Sequence, residues 1–151
     1  MLTYATCWID PGGRSGIATL IGGQFAAAEY PFFPACEVIE AMCAEHGPRL
    51  SIGWEAYYIR RNVPQTDAHD AIGLAKVAEY LAGKYRCRAL PPAAPHTPVP
   101  AEQARLRALN WWPSGQKDSQ SAAAHLLNYL LQTGNLPPAE AAVLAAARAA
   151  R

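Results

Sequence analysis

Long apolar runs are missing from this chain. Nowhere do about 18 consecutive apolar residues occur, so a membrane-spanning helix is not expected. The opening MLTYATCWID has no basic segment ahead of an apolar one, so no secretory leader is expected either, and the expected location is the cytoplasm. Cysteine is sparse. Cys7, Cys36, Cys43 and Cys87 form no C-x-x-C pair, which argues against a disulfide framework or a structural zinc knuckle and predicts buried free thiols. An excess of either charge is absent as well: 13 Lys+Arg face 12 Asp+Glu, which excludes a uniformly basic coat for nucleic acid but not a local basic face. With 51% hydrophobic and 17% charged residues, the 151-residue chain can bury a core and is too weakly charged for a solvated disordered segment. A single domain over 1–151 is expected, and no internal repeat is visible.

The charge that is present is unevenly placed. Residues 1–59 hold two bases against six acids (Asp10, Glu29, Glu37, Glu40, Glu45, Glu55). Residues 60–117 hold nine bases against four acids, and the remainder balances. An acidic ion site beside a phosphate-facing surface would produce such a split, and so would scatter over solvated faces.

Short β-prone segments separated by glycine turns come first. Ala5–Asp10 is broken by Pro11-Gly12-Gly13, Gly16–Ile21 by Gly22-Gly23, and Gln24–Tyr30 by Pro31. A helix is predicted over Ala35–Glu45, with Val38, Ile39, Met42 and Cys43 on one stripe, and then a fourth strand over Arg49–Tyr58. Thr66 or Asp67 caps a helix that ends at Gly83, and Tyr85–Leu90 reads as a fifth strand. The proline-rich PPAAPHTPVP fits neither a central strand nor a helix interior. Helices follow over Ala101–Leu109, from an Asp118 or Ser119 cap to Gly134, and from Pro137-Pro138 onward; the last, over 136–151, is Ala-rich and expected to pack weakly. The expectation is an α/β fold with a mixed five-stranded sheet, the first three strands antiparallel, and helices on both faces. This order resembles the ribonuclease H-like fold.

Three acids stand out. Asp10 ends a buried strand, where an unpaired carboxylate costs several kcal/mol unless a cation or a local turn compensates it. A metal ion and an Asx turn before Pro-Gly are both open readings. Glu55 follows Ile52-Gly53-Trp54 in a strand, as a site acid or as a strand-end surface residue. Asp118 opens a helix, where capping alone would account for it. Taken together, a few convergent carboxylates suit Mg²⁺ or Mn²⁺, and one or two such ions can activate water for phosphodiester hydrolysis.

The run Ile9-Asp10-Pro11-Gly12-Gly13-Arg14-Ser15-Gly16-Ile17-Ala18 resembles the D-P-G-x-x-x-G-x-A opening of the RuvC-like Holliday-junction resolvases. Glu55 with Tyr58 is similar to that family's second block, and Lys117-Asp118-Ser119-Gln120-Ser121-Ala122 to the D-x-x-D-A that opens its final helix. The compact chain and GQKDSQSAAAHLL are most similar to the bacteriophage type, over roughly residues 5–133. The resemblance implies a homodimeric Mg²⁺- or Mn²⁺-dependent endonuclease that nicks four-way DNA junctions and leaves 5′-phosphates. It implies Asp10, Glu55 and Asp118 as catalytic metal ligands and Tyr58 as a DNA contact. Ser121 stands where the family has a fourth carboxylate. A neutral hydroxyl ligates more weakly, so activity is expected to need more divalent ion. His125 shares the face of 118 and 121, as a further ligand, a proton carrier or a core histidine.

The remaining DNA-binding candidates are Arg60 and Arg61 beyond the Glu55 strand, Lys76, Lys117, and the Trp111-Trp112 pair. Either tryptophan suits stacking on an unpaired base or anchoring in the core. Two other outcomes stay open: a nuclease of the same fold for flaps, forks or RNA–DNA hybrids, and a junction-binding module without catalysis.

Overall fold

A computed structural model of the protein describes residues 4–57 and 65–150. Five strands are present among the described residues: β1 (Ala5–Asp10), β2 (Ser15–Ile21), β3 (Gln24–Tyr30), β4 (Leu50–Trp54) and β5 (Arg88–Ala89). They lie side by side in the order β3-β2-β1-β4-β5. β1, β2 and β3 pair antiparallel through tight turns, whereas β4 joins β1, and β5 joins β4, in parallel after helical crossovers. This is the ribonuclease H-like strand order.

Two helices, α1 (Phe32–His46) and α2 (Gln65–Lys84), cover one face of the sheet; α3 (Pro100–Ala108) and α4 (Lys117–Thr133) cover the other. The last helix, α5 (Pro138–Ala149), packs against α3 and buries none of its residues fully, in line with its Ala-rich sequence. No described helix is long and apolar enough to cross a membrane.

The alternation of side chains along the strands decides which face receives which chemistry. Ala5, Cys7 and Ile9 of β1, with Leu50, Ile52 and Trp54 of β4, pack with α1 and α2. Trp8 of β1, Ala18 and Leu20 of β2, and Phe25 and Ala27 of β3 pack with α4. By the same period of two, Asp10, Gly16, Glu29 and Glu55 belong to the α4 face.

Several boundaries depart from the sequence reading; α2, for one, already includes Thr66 and Asp67, which therefore lie inside the helix rather than capping it. α1 starts at Phe32 rather than Ala35, because Pro34 falls in its first turn, where the missing N–H has no helical partner to lose. β4 ends at Trp54 rather than Tyr58, and β5 is two residues rather than six. Beyond them the neighbour of β4 is the proline-rich segment, in which Ala93 N–H donates to Trp54 O (3.0 Å) and Ala56 N–H to Ala93 O (2.7 Å). Pro91 and Pro92 before that alanine and Pro95 after it cannot donate, so the pairing stops at one bridge between Glu55 and Ala93. Finally, α4 starts at Lys117, with Gln116 in the capping position, so Asp118 lies inside the first turn instead of capping it.

Candidate active site

Asp10 ends β1 and lies opposite Gly16 of β2, which lies opposite Glu29 of β3. On the other side, Glu55 follows β4 directly, and its N–H donates to Ile9 O (2.9 Å). One row across the end of the sheet therefore reads Glu29, Gly16, Asp10, Glu55. Gly16 is required by close approach: a Cβ there would sit 2.0 Å from the carbonyl oxygen of Asp118. Its bare Cα lets the N-terminus of α4 rest on the sheet, bringing Asp118 over the row.

The Asp10 turn is held without Asp10, since Gly12 N–H donates to Ser15 Oγ (3.2 Å). Asp10, Glu55, Asp118 and Ser121 instead line one cavity of about 620 Å³, together with Asp67, His96, Gln103, Trp112, Lys117 and others. Burial, and then the charges of Glu55 and Asp118, push the Asp10 carboxyl up to about 8, with the Ser121 hydroxyl acting in the opposite sense. Burial, then Glu29 and Glu55, push Asp118 up to about 6, opposed by Lys117 and Arg14. Mutual repulsion among buried acids of this kind is relieved by a cation.

Glu55 is the best-held of the three. Its Oε2 receives His125 Nε2 at 2.9 Å and the His96 N–H at 3.3 Å; the Ser121 hydroxyl, whose proton goes to His96 O, lies 3.5 Å away. His125 in turn stacks on Trp8, centroids 5.3 Å apart and planes 16° apart. The Trp8 ring lies over Gly53, where a Cβ would come within 2.5 Å of it. The sequence reading's two uses for His125, core packing and site chemistry, meet in one side chain that is 9% exposed and bonded to a site acid.

The other candidates divide. Lys117 and Trp112 line the cavity, with the Arg107 guanidinium 5.2 Å from the Trp112 ring centroid. Trp111 does not offer a face to a base: it is 6% exposed and stacked on Phe25 at 4.7 Å, a core anchor. Lys76 lies on the outer side of α2, paired with Glu79 at 3.2 Å, and does not line the cavity. Tyr58, Arg60 and Arg61 fall outside the described residues.

Several residues in and around the site were not singled out from sequence for this role. Glu29 belongs to β3, whose alternation with Phe25 and Ala27 is the signal that aims it at α4. Asp67, read as a cap, lines the cavity. His96 lies in the aperiodic proline segment and is clamped by the buried Glu102 (Nε2 to Oε2, 2.6 Å); neither of that pair carries a local sequence signal.

Among the described residues, no three His, Cys, Asp or Glu side chains stand ready to hold an ion. The donor chemistry nevertheless suits a hard divalent ion. Such an ion keeps several waters and takes one or two carboxylates plus substrate oxygens, rather than a closed protein cage. Raised Asp10 and Asp118 carboxyls facing one cavity meet that requirement.

No protein-family model and no curated protein matches the chain. Solved structures that resemble it include two of RuvC. One, of T. thermophilus RuvC in complex with Holliday junction substrate, is 13% identical, with a TM-score of 0.46 over 87% of this chain and 97% of that one. Another Thermus thermophilus RuvC structure is 12% identical, with a TM-score of 0.37 over the same shares. At these scores the likeness bears no weight, and the fold is defined by its own strand order.

Proposed function

We propose that this protein is a divalent-metal-dependent endonuclease for branched DNA, four-way junctions above all, acting as a homodimer of the compact bacteriophage type and leaving 5′-phosphate ends. The observation that carries the proposal is the arrival of Asp10, Glu55 and Asp118, from three distant elements, in one cavity where two of them are held well above the usual carboxylate range.

Asp10 and Asp118 would hold Mg²⁺ or Mn²⁺, with Glu55 completing the set. A bound ion would supply charge neutralisation, an activated water and stabilisation of the leaving oxygen. The chain's own residues do the rest. His125 and the His96 amide fix the Glu55 carboxylate, so little reorganisation is left for the reacting complex. Lys117 brings a positive charge to the rim beside Asp118, where a phosphodiester would enter. Trp112 offers an aromatic surface for an unpaired base, worth about 1–3 kcal/mol when stacked. A two-fold dimer matches the near two-fold symmetry of a four-way junction and its need for paired cuts.

One observation favours a second reading, a junction-binding module without catalysis: position 121 offers a hydroxyl rather than an acid, and that hydroxyl also donates to His96 O. One experiment separates the two. The protein is incubated with four-way junction, flap, fork and RNA–DNA hybrid in Mg²⁺ or Mn²⁺. Paired nicks in the junction are expected, with Asp10→Asn cleaving at least about a thousandfold more slowly, as loss of several kcal/mol of transition-state stabilisation requires, while still binding. Binding without any cleavage by the unaltered protein supports the module, and faster cleavage of a flap, fork or hybrid reassigns the substrate.

A further inference from the structure

The first turn of α4 has a donor that its own sequence does not satisfy. Helices leave their first amides without intrahelical partners, and an Ncap side chain ordinarily accepts from the second or third of them. Gln116 stands in the Ncap position and makes no such bond. Its neighbour Ser119 does not help, because that hydroxyl donates back to Gln116 O (3.0 Å). The acceptor comes instead from another element: Glu29 Oε1 receives the N–H of Asp118, the second helical residue, at 3.0 Å.

Glu29 is well placed to hold that position. Its side chain is 14% exposed, and its second oxygen faces Arg14 Nε at 3.7 Å. Arg14 also donates to the Glu29 backbone carbonyl at 3.4 Å, so Glu29 is tied to the Asp10 turn through its main chain while its carboxylate reaches Arg14 on one side and α4 on the other. Between them lies Gly16, opposite Glu29 in the register and beneath the Asp118 carbonyl. A carboxylate at a helix N-terminus is further favoured by the helix dipole.

We infer that Glu29 is a positioning residue, a cap supplied by β3 that fixes the α4 N-terminus so that Asp118 faces Asp10 across the cavity. The inference rests on Asp118 serving as an ion ligand, but the cap itself can be measured in ion-free protein. Alternatives to a cap are a direct fourth ligand, for which the charge rather than the acceptor matters, and a surface acid without consequence.

The test compares Glu29→Ala and Glu29→Gln in the full chain. Gln keeps a hydrogen-bond acceptor and loses the charge. In ion-free protein, hydrogen exchange of the Asp118 amide is expected to quicken at least about tenfold in the Ala variant and less than about threefold in the Gln variant. In Mn²⁺ titration calorimetry the dissociation constant is expected to rise about tenfold in Ala and to be largely restored in Gln. Unchanged exchange in Glu29→Ala overturns the cap. Equal loss of Mn²⁺ affinity in both variants, with exchange altered only in Ala, shows a direct ligand and overturns the positioning role. Absence of Mn²⁺ binding by the unaltered protein refutes the ion site and with it the positioning role, while exchange still decides the cap.

Discussion

The two faces of the sheet do different work with the same strands. Beneath α1 and α2, Cys7, Ile9, Leu50, Ile52 and Leu74 form a closed apolar layer. Even its polarisable groups are kept neutral there, burial pushing the Cys7 thiol far up and the Cys43 thiol up to about 12. Toward α4 the strands present Trp8, Gly16, Gly53 and, at their ends, three carboxylates. One residue along β1 separates the two environments, since Ile9 faces one and Asp10 the other. The difference teaches that stability and function are distributed by parity: one face holds the sheet flat against two helices, and the other leaves glycine gaps that admit a polar helix end.

The largest expected effect that sharpens this contrast is on the apolar face. Leu74→Ala removes a fully buried side chain and should cost about 2–5 kcal/mol of stability by denaturant unfolding, leaving Mn²⁺ affinity in the folded protein unchanged. A loss of ion affinity alongside stability would mean that the two faces are not separable.

The acidic end should behave in the opposite way, with stability depending on pH. Asp10 binds its proton more tightly folded than unfolded. Its stabilising contribution is therefore fully present below about pH 4 and is lost as pH rises through about 8; Asp118 adds a smaller loss completed near pH 6. Ion-free protein should lose on the order of a few kcal/mol across that window relative to Asp10→Asn, whose profile should be flatter. Denaturant midpoints measured from pH 4 to 9, with and without Mn²⁺, check this; identical profiles for both proteins would contradict it.

The smallest expected effect is at position 121. Ser121→Asp adds a charged oxygen donor to the cavity and should lower the Mg²⁺ concentration for half-maximal cleavage by a few-fold, at the cost of the bond to His96 O. Unchanged ion dependence would place 121 outside the ion's reach.

Much of this was legible in the residues themselves. β1 and β3 were bounded to the residue, because alternation stops at Asp10 and Tyr30 against glycine or proline, and the D-P-G-x-x-x-G spacing has a physical meaning in the Gly16 contact with Asp118. What was not legible depends on partners far away in the chain. β4 is shorter than its strand-like continuation suggests, because past Trp54 it meets only Ala93, set among prolines that cannot donate. Trp111 and Trp112 are indistinguishable in sequence, and only packing against Phe25 commits the first to the core. Glu29 and His96 have ordinary local surroundings, and their roles follow from strand register and from a loop crossing beside β4.

The most direct test of the central claim is a crystal of the protein soaked in Mn²⁺, with the ion located by its anomalous scattering. The account predicts a peak in the cavity with carboxylate oxygens of Asp10 and Asp118 within about 2.0–2.3 Å and Glu55 directly or one water away. Full-strength Mn²⁺ elsewhere, with Asp10 and Asp118 turned from each other and no density between them, would contradict it.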